Sequence, residues 1–314
     1  MSDISGRWSV VGGRLKTIPR SVFFPHWRRR WCGGVLCVLI GLPALLHAAP
    51  PDSSSTPAHR PHKLLLSTAV AAGALGLGVG VSSGIDVVHR DPLIGAPSRL
   101  DRFFRDHLRD GRRTTNFIDS NFRGGFSQAG GMAVMVLLEQ LVDDQCTWKD
   151  SVDELAVFGT GTIAEQGIKL AVKAAVARRR PLLEFADPAH YAALNVQANN
   201  HESFYSGHTS SAFYTAAYVD QKVGDLLRPR VEGRARLLYR VLSVTTLYGW
   251  AAYVGYSRMQ IDRHYFTDVL AGGAIGATWA FWQYRYHHGR DGRWSVMPEL
   301  THERVGVVVM VIRP

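Results

Sequence analysis

The run from Leu64 to Ser83 holds twenty residues and not one charge. A segment that polar-poor must satisfy its own backbone N–H and C=O groups, which limits it to few structures. Its length suits a helix crossing a bilayer, which needs ~20 apolar residues. Gly73, Gly76, Gly78 and Gly80 would let such a helix pack closely on a neighbour. A buried helix, or an apolar glycine-rich strand pair in a soluble protein, are the other two readings. The Gly-x-Gly-x-Gly within it is not a nucleotide loop: its third glycine is misplaced and no Gly-Lys-Ser/Thr follows.

Other segments repeat the helical theme. Apolar periodicity predicts helices over Gly130–Asp143, Val152–Arg179 (ending before Pro181), Gly207–Val223, Ala235–Tyr256 and Tyr265–Tyr286. Residues 84–128 read as polar and mixed, and 182–203 as a connection. Weak alternation at Trp294–Met297 and Val305–Ile312 predicts two terminal strands. The expected fold is all-α, a bundle of about six helices with a short β-like tail. Candidate spans are 64–83, 130–142, 155–177, 204–219, 237–256 and 265–284, although Glu139, Glu165, Lys169 and Arg240 are costly there unless they face the bundle interior. A mean hydropathy of −0.04 is low for six spans, so a soluble bundle stays open.

The first residues resemble an export signal. Arg28–Arg30 precede the apolar run Trp31–Leu46, and small residues follow at Ala48 and Ala49. Residues 1–48 are therefore expected to be a signal peptide or an uncleaved N-terminal anchor. Residues 49–63 form a Pro/Ser-rich linker, 64–290 the helical domain and 291–314 the tail. Cys32 and Cys37 fall in the leader, so its removal leaves Cys146 alone, and no His/Cys pair accompanies them as zinc ligands. The net charge of +10 points to an anionic membrane surface or anionic substrates. Its clusters, Arg28–Arg30, Arg112–Arg113 and Arg178–Arg180, are not interleaved with aromatics, which argues against nucleic acid as a partner.

Three segments carry chemistry. In Ser257-Arg258-x5-His264-x3-Asp268, the last two residues would share one helical face. A carboxylate there can fix the tautomer of His264 and leave its other nitrogen nucleophilic, and Arg258 offers a planar fork to phosphate oxygens. Alone, such a pair also fits a capped histidine at a helix start, or a metal pair. Ser206-Gly207-His208 opens an apolar helix, where free backbone N–H groups bind anions and Gly207 permits close approach. A simple N-cap with a surface histidine is the bland alternative. Lys173 and Arg180 are seven apart, two turns on one face of the predicted helix, whereas Arg178 and Arg179 fit a solvated basic helix end. Together the segments make a phosphate site of three cations, backbone donors and two imidazoles.

In order, the segments resemble the signature of the type 2 phosphatidic acid phosphatase and vanadium haloperoxidase superfamily: Lys-x6-Arg-Pro, Pro-Ser-Gly-His and Ser-Arg-x5-His-x3-Asp. Tyr205 stands where that pattern has proline. The resemblance implies that Lys173, Arg180 and Arg258 bind phosphate with Ser206 and Gly207. It implies that His264 attacks phosphorus, Asp268 orients it and His208 protonates the leaving group. The implied enzyme is a phosphatase acting on a phosphate monoester or diphosphate of a lipid or other ester, with no cofactor and no metal. A vanadium-dependent haloperoxidase and a non-catalytic membrane protein with a retained anion site are the alternatives. The expected place is the bacterial cell envelope, membrane-embedded or membrane-bound with a periplasmic site, or soluble in the periplasm.

Overall fold

The computed structural model describes residues 61–109, 123–143 and 145–289, and the backbone of two strands at 294–301 and 304–311. The leader and most of the linker lie outside the described residues. Helix α1 runs Pro61–Gly84, α2 Arg99–Leu108, α3 Arg123–Val142 and α4 Trp148–Val176. Short α5 (Pro181–Glu184) and α6 (Pro188–Asn195) and a 3-10 turn at Ala198–His201 precede α7 (Gly207–Leu227), α8 (Gly233–Gln260) and α9 (Phe266–His288). Strands β1 (Trp294–Thr301) and β2 (Arg304–Val311) pair antiparallel, Trp294 opposite Val311. The fold is all-α with this hairpin as its tail.

Helix α7 is the axis of the bundle and packs against α9, α8 and α3, while α1 lies along α4. The core is aromatic: Phe158, Tyr214, Tyr218 and Tyr284 interlock with Met135, Val157 and Val219. Where α1 meets α4, a Cβ on Gly78 would lie 2.2 Å from the Gly167 carbonyl oxygen, so backbone touches backbone. Away from that seam α1 faces outward, with 17% of its most apolar window buried. His62–Gly84 is, among the described residues, the one helix long and apolar enough to cross a membrane by length and composition. The other five candidate spans fall short by that measure.

A polar lock ties the bundle together near the start of α4. Lys222 of α7 sits 2.6 Å from Glu139 of α3 and 2.9 Å from Glu154 of α4. Glu154 also meets Tyr218 at 2.7 Å and His288 of α9 at 2.8 Å. Glu154 is nineteen residues before Lys173, so this lock lies roughly 28 Å along α4 from the segments described next.

Three differences from the sequence reading bear on the site. The stretch 84–128, read as polar and mixed with no helix assigned, contains α2, whose start is a capping box between Ser98 and Asp101. The connection 182–203 contains α5, α6 and the 3-10 turn. Helix α4 ends at Val176, not Arg179, because Ala177 turns left-handed at φ 50°. Lys173 and Arg180 therefore do not share a helical face.

Candidate active site

Lys173 sits in the last turn of α4, and the chain then leaves the helix and runs extended through Arg178 to Arg180, the N-cap of α5. This extended piece pairs with the end of the connection before α7. Arg180 N–H donates to the Asn200 carbonyl at 2.8 Å, and Ser203 N–H to the Arg178 carbonyl at 2.9 Å. The turn does what the helical face was expected to do and brings Arg180 round to Lys173. Both line one pocket of about 420 Å³ with Gly207, His208, Arg258 and His264. Six of the eight residues singled out from sequence thus meet in one wall.

The other two stand behind it. Ser206 is fully buried, and its hydroxyl pairs with that of Thr209 at 2.8 Å. Asp268 is likewise fully buried. One of its carboxylate oxygens accepts from the Ser203 hydroxyl at 2.5 Å and from the Tyr265 N–H at 3.0 Å. The other accepts from Nη1 of Arg178 at 2.5 Å. His264 precedes the N-cap Tyr265, so it lies in the turn between α8 and α9 and not on a shared face with Asp268. Its Nδ1 is 3.9 Å from Asp268 Oδ2 and 2.7 Å from the Ser203 carbonyl oxygen. A carbonyl only accepts, so Nδ1 carries the proton and Nε2 keeps a lone pair.

The electrostatics favour an anion. Burial, then the charges of Arg180 and Lys173 and the neighbouring His208, hold the His264 imidazole well below the usual histidine range. Burial and the nearby Arg263 pull Arg180 down to about 10, still a cation at neutral pH. Arg180 donates from Nη2 to Asn199 at 2.6 Å, while its buried Nε has no partner within the protein. Lys173 donates to the Glu202 carbonyl at 3.0 Å. Gly207 cannot be larger without displacement, since a Cβ there would sit 2.4 Å from Cδ of Lys169.

Sequence reading missed four further lining residues: Lys169, Asn199, Ile261 and Arg263. Lys169 lies one helical turn before Lys173 and could have been found from that spacing. Arg263 and Asn199 come from turns and carried no signal. Arg178 was placed among solvated charges, but it is 3% exposed, because two carboxylates reach it from opposite sides. Among the described residues no group of three His, Cys, Asp or Glu is placed to hold a metal ion.

Residues 154–291 match the PAP2 superfamily. The chain is also similar to the first transmembrane PAP2 type phosphatidylglycerolphosphate phosphatase from Bacillus subtilis. That likeness has 18% identity and a TM-score of 0.34, over 80% of this chain and 92% of that one. The residues that match the PAP2 superfamily hold all three segments and the whole wall of the pocket.

Proposed function

We propose that the chain is a phosphatase that cleaves a phosphate monoester or diphosphate, of a lipid in the first instance, through a phosphohistidine on His264. One observation carries the reading: Lys169, Lys173, Arg180, Arg258 and Arg263 converge with two imidazoles on one pocket, and its wall holds no carboxylate. Basic groups so crowded repel one another when charged. Burial and that repulsion bring Lys173 down to about 7, and an anion with several oxygens relieves the repulsion and favours the charged forms.

In the proposed reaction Nε2 of His264 attacks phosphorus as the bond to the leaving oxygen breaks. His208 gives that oxygen a proton. A water then attacks the phosphohistidine and passes a proton to His208, the P–N bond breaks and its electron pair returns to Nε2. Orthophosphate leaves, and both imidazoles are restored. Throughout, the cations stabilise charge on the equatorial oxygens, which is most of what phosphoryl transfer asks of a protein. The apolar, outward-facing α1 supports a membrane-bound enzyme. We place it in a bacterial envelope with the pocket on the periplasmic side, where lipid phosphates would be met.

A phosphate-release assay over a substrate panel, run with EDTA, tests this. Turnover that persists in EDTA and is inhibited by vanadate is expected. Activity that is lost in EDTA and restored by a divalent cation would overturn it.

A further inference from the structure

Helix α2 lies outside the family match and contributes nothing to the pocket wall, yet it is bolted to the turn that carries His264. Asp101, 1% exposed, caps its own helix at the Ser98 N–H. It also accepts from the Thr267 N–H at 2.9 Å and from the Thr267 hydroxyl, in the first turn of α9. Its other partner is Nη2 of Arg178 at 2.8 Å. One turn on, Arg105 grips Asp262 with two donors, at 2.9 and 3.2 Å, and Asp262 lies two residues before His264. Phe104 stacks on Phe266, ring centroids 4.0 Å apart.

Arg178 is the hinge of this arrangement. Its guanidinium lies between Asp101 and Asp268, with 4% of the side chain exposed against none for either carboxylate, and its flat face covers the Tyr265 ring at 4.2 Å. Its own carbonyl holds the Ser203 N–H, and the Ser203 carbonyl holds His264. A continuous path therefore runs from Asp101 through Arg178 to Asp268 and Ser203, and from Ser203 to the imidazole. Burying three charges is costly, and an apolar trio of the same volume would stabilise the fold as well or better. What an apolar trio could not do is fix the direction of a carboxylate and a carbonyl beside a histidine.

We propose that Asp101 and Arg178 are positioning residues for His264, acting through Asp268 and Ser203. The proposal rests on the phosphatase reading above. A buried ion chain holds its members within a narrow range of orientations. Losing a link lets Asp268 and Ser203 drift and tilts Nε2 from the line of attack, while leaving the phosphate-binding cations in place.

The test measures kcat, KM and vanadate inhibition for full-length Arg178→Gln, Arg178→Lys, Asp101→Asn and the double variant Asp101→Asn/Arg178→Gln. Arg178→Gln and Asp101→Asn should each lose about 10–100-fold in kcat, the size usual for a supporting shell. KM and the vanadate inhibition constant should stay within about threefold of wild type. Arg178→Lys should recover part of the loss, since it keeps the charge but not the fork. The double variant should be no worse than the poorer single one, because the two act as one unit. Folded variants with unchanged kcat, losses confined to KM, or losses that simply add would overturn the proposal. If Arg178→Gln does not fold, Asp101→Asn, nearly isosteric, carries the same comparison. Wild-type protein in the same assay separates the two readings: no phosphate release there sinks the phosphatase, whereas release by wild type and variants alike sinks only the positioning pair.

Discussion

Nδ1 of His264 lies 2.7 Å from the carbonyl oxygen of Ser203, so the imidazole is oriented by backbone, and Asp268 reaches it through the Ser203 hydroxyl. In a serine-protease-like arrangement the carboxylate holds the ring directly. Here a peptide carbonyl selects the tautomer, and the carboxylate holds the residue that owns the carbonyl.

His264→Ala should abolish turnover, by more than about 10⁴-fold, since it removes the imidazole whose Nε2 attacks phosphorus in the proposed reaction. The phosphoenzyme trapped by acid quench from labelled substrate should vanish with it. A labelled His264→Ala protein, or one with full activity, would refute the nucleophile.

The acid limb of kcat/KM should lie below pH 6.5, the ordinary histidine value. Burial and the surrounding cations lower the His264 pKa in the folded protein, so the neutral, nucleophilic form persists as the pH falls. The same shift has a stability consequence of fixed sign. The unfolded chain takes up a proton below about pH 6.5 while folded His264 does not, so stability is complete above that pH and declines below it. Melting temperatures from pH 7.5 to 5.0 should fall more steeply for wild type than for His264→Gln.

Much of the site was legible before the fold was known, and the reason is chemical. Lys173, Arg180, Gly207, His208, Arg258 and His264 lie in three short segments whose residue types suit a phosphate, and they meet in one wall. The long helices were legible because each is a long stretch without proline in its interior, bounded by turn and breaker residues. What failed depended on tertiary contact. Arg178 reads like Arg179, a charge at a helix end, until Asp101 is known to lie across from it. Helix α2 spans ten residues with three arginines and two aspartates, and only the Ser98–Asp101 capping box betrays it. The end of α4 was misplaced because an alanine at φ 50° leaves no mark in sequence.

His208→Ala should slow alkyl phosphates far more than aryl phosphates. A proton donor matters in proportion to the basicity of the leaving oxygen, and such catalysis amounts to ~10²–10⁴-fold. A plot of log kcat/KM against leaving-group pKa should steepen in the variant. Parallel lines for the two proteins would give His208 a binding role instead.

Gly167→Ala should destabilise the protein by about 1–3 kcal/mol, the usual cost of overfilling a packed seam. The added methyl would meet the Ala74 carbonyl carbon at 2.3 Å, and backbone cannot rotate away as a side chain can. Gly159→Ala, which meets nothing within 4 Å on the same helix, is the control and should be neutral or better. Equal denaturant midpoints for the two variants would mean that α1 does not sit in contact with α4.

A last prediction concerns the side of the membrane on which the pocket opens. The pocket wall is built from the end of α4, the start of α7 and the turn before α9, and the connection between α4 and α7 leads straight into it. Val196, at the end of α6 in that connection, is 72% exposed, so a fusion there should leave the bundle intact. Arg28–Arg30 before an apolar run should remain cytoplasmic under the positive-inside tendency, and a leader that crosses once would deliver the residues after it to the periplasm, with α1 lying against the membrane. Alkaline phosphatase fused after Val196 should therefore be active in cells, and green fluorescent protein at the same point dark. The reverse pattern would put the pocket in the cytoplasm. Release of the unfused protein by osmotic shock without detergent would leave the chemistry untouched. It would, however, assign the outward apolar face of α1 to something other than lipid.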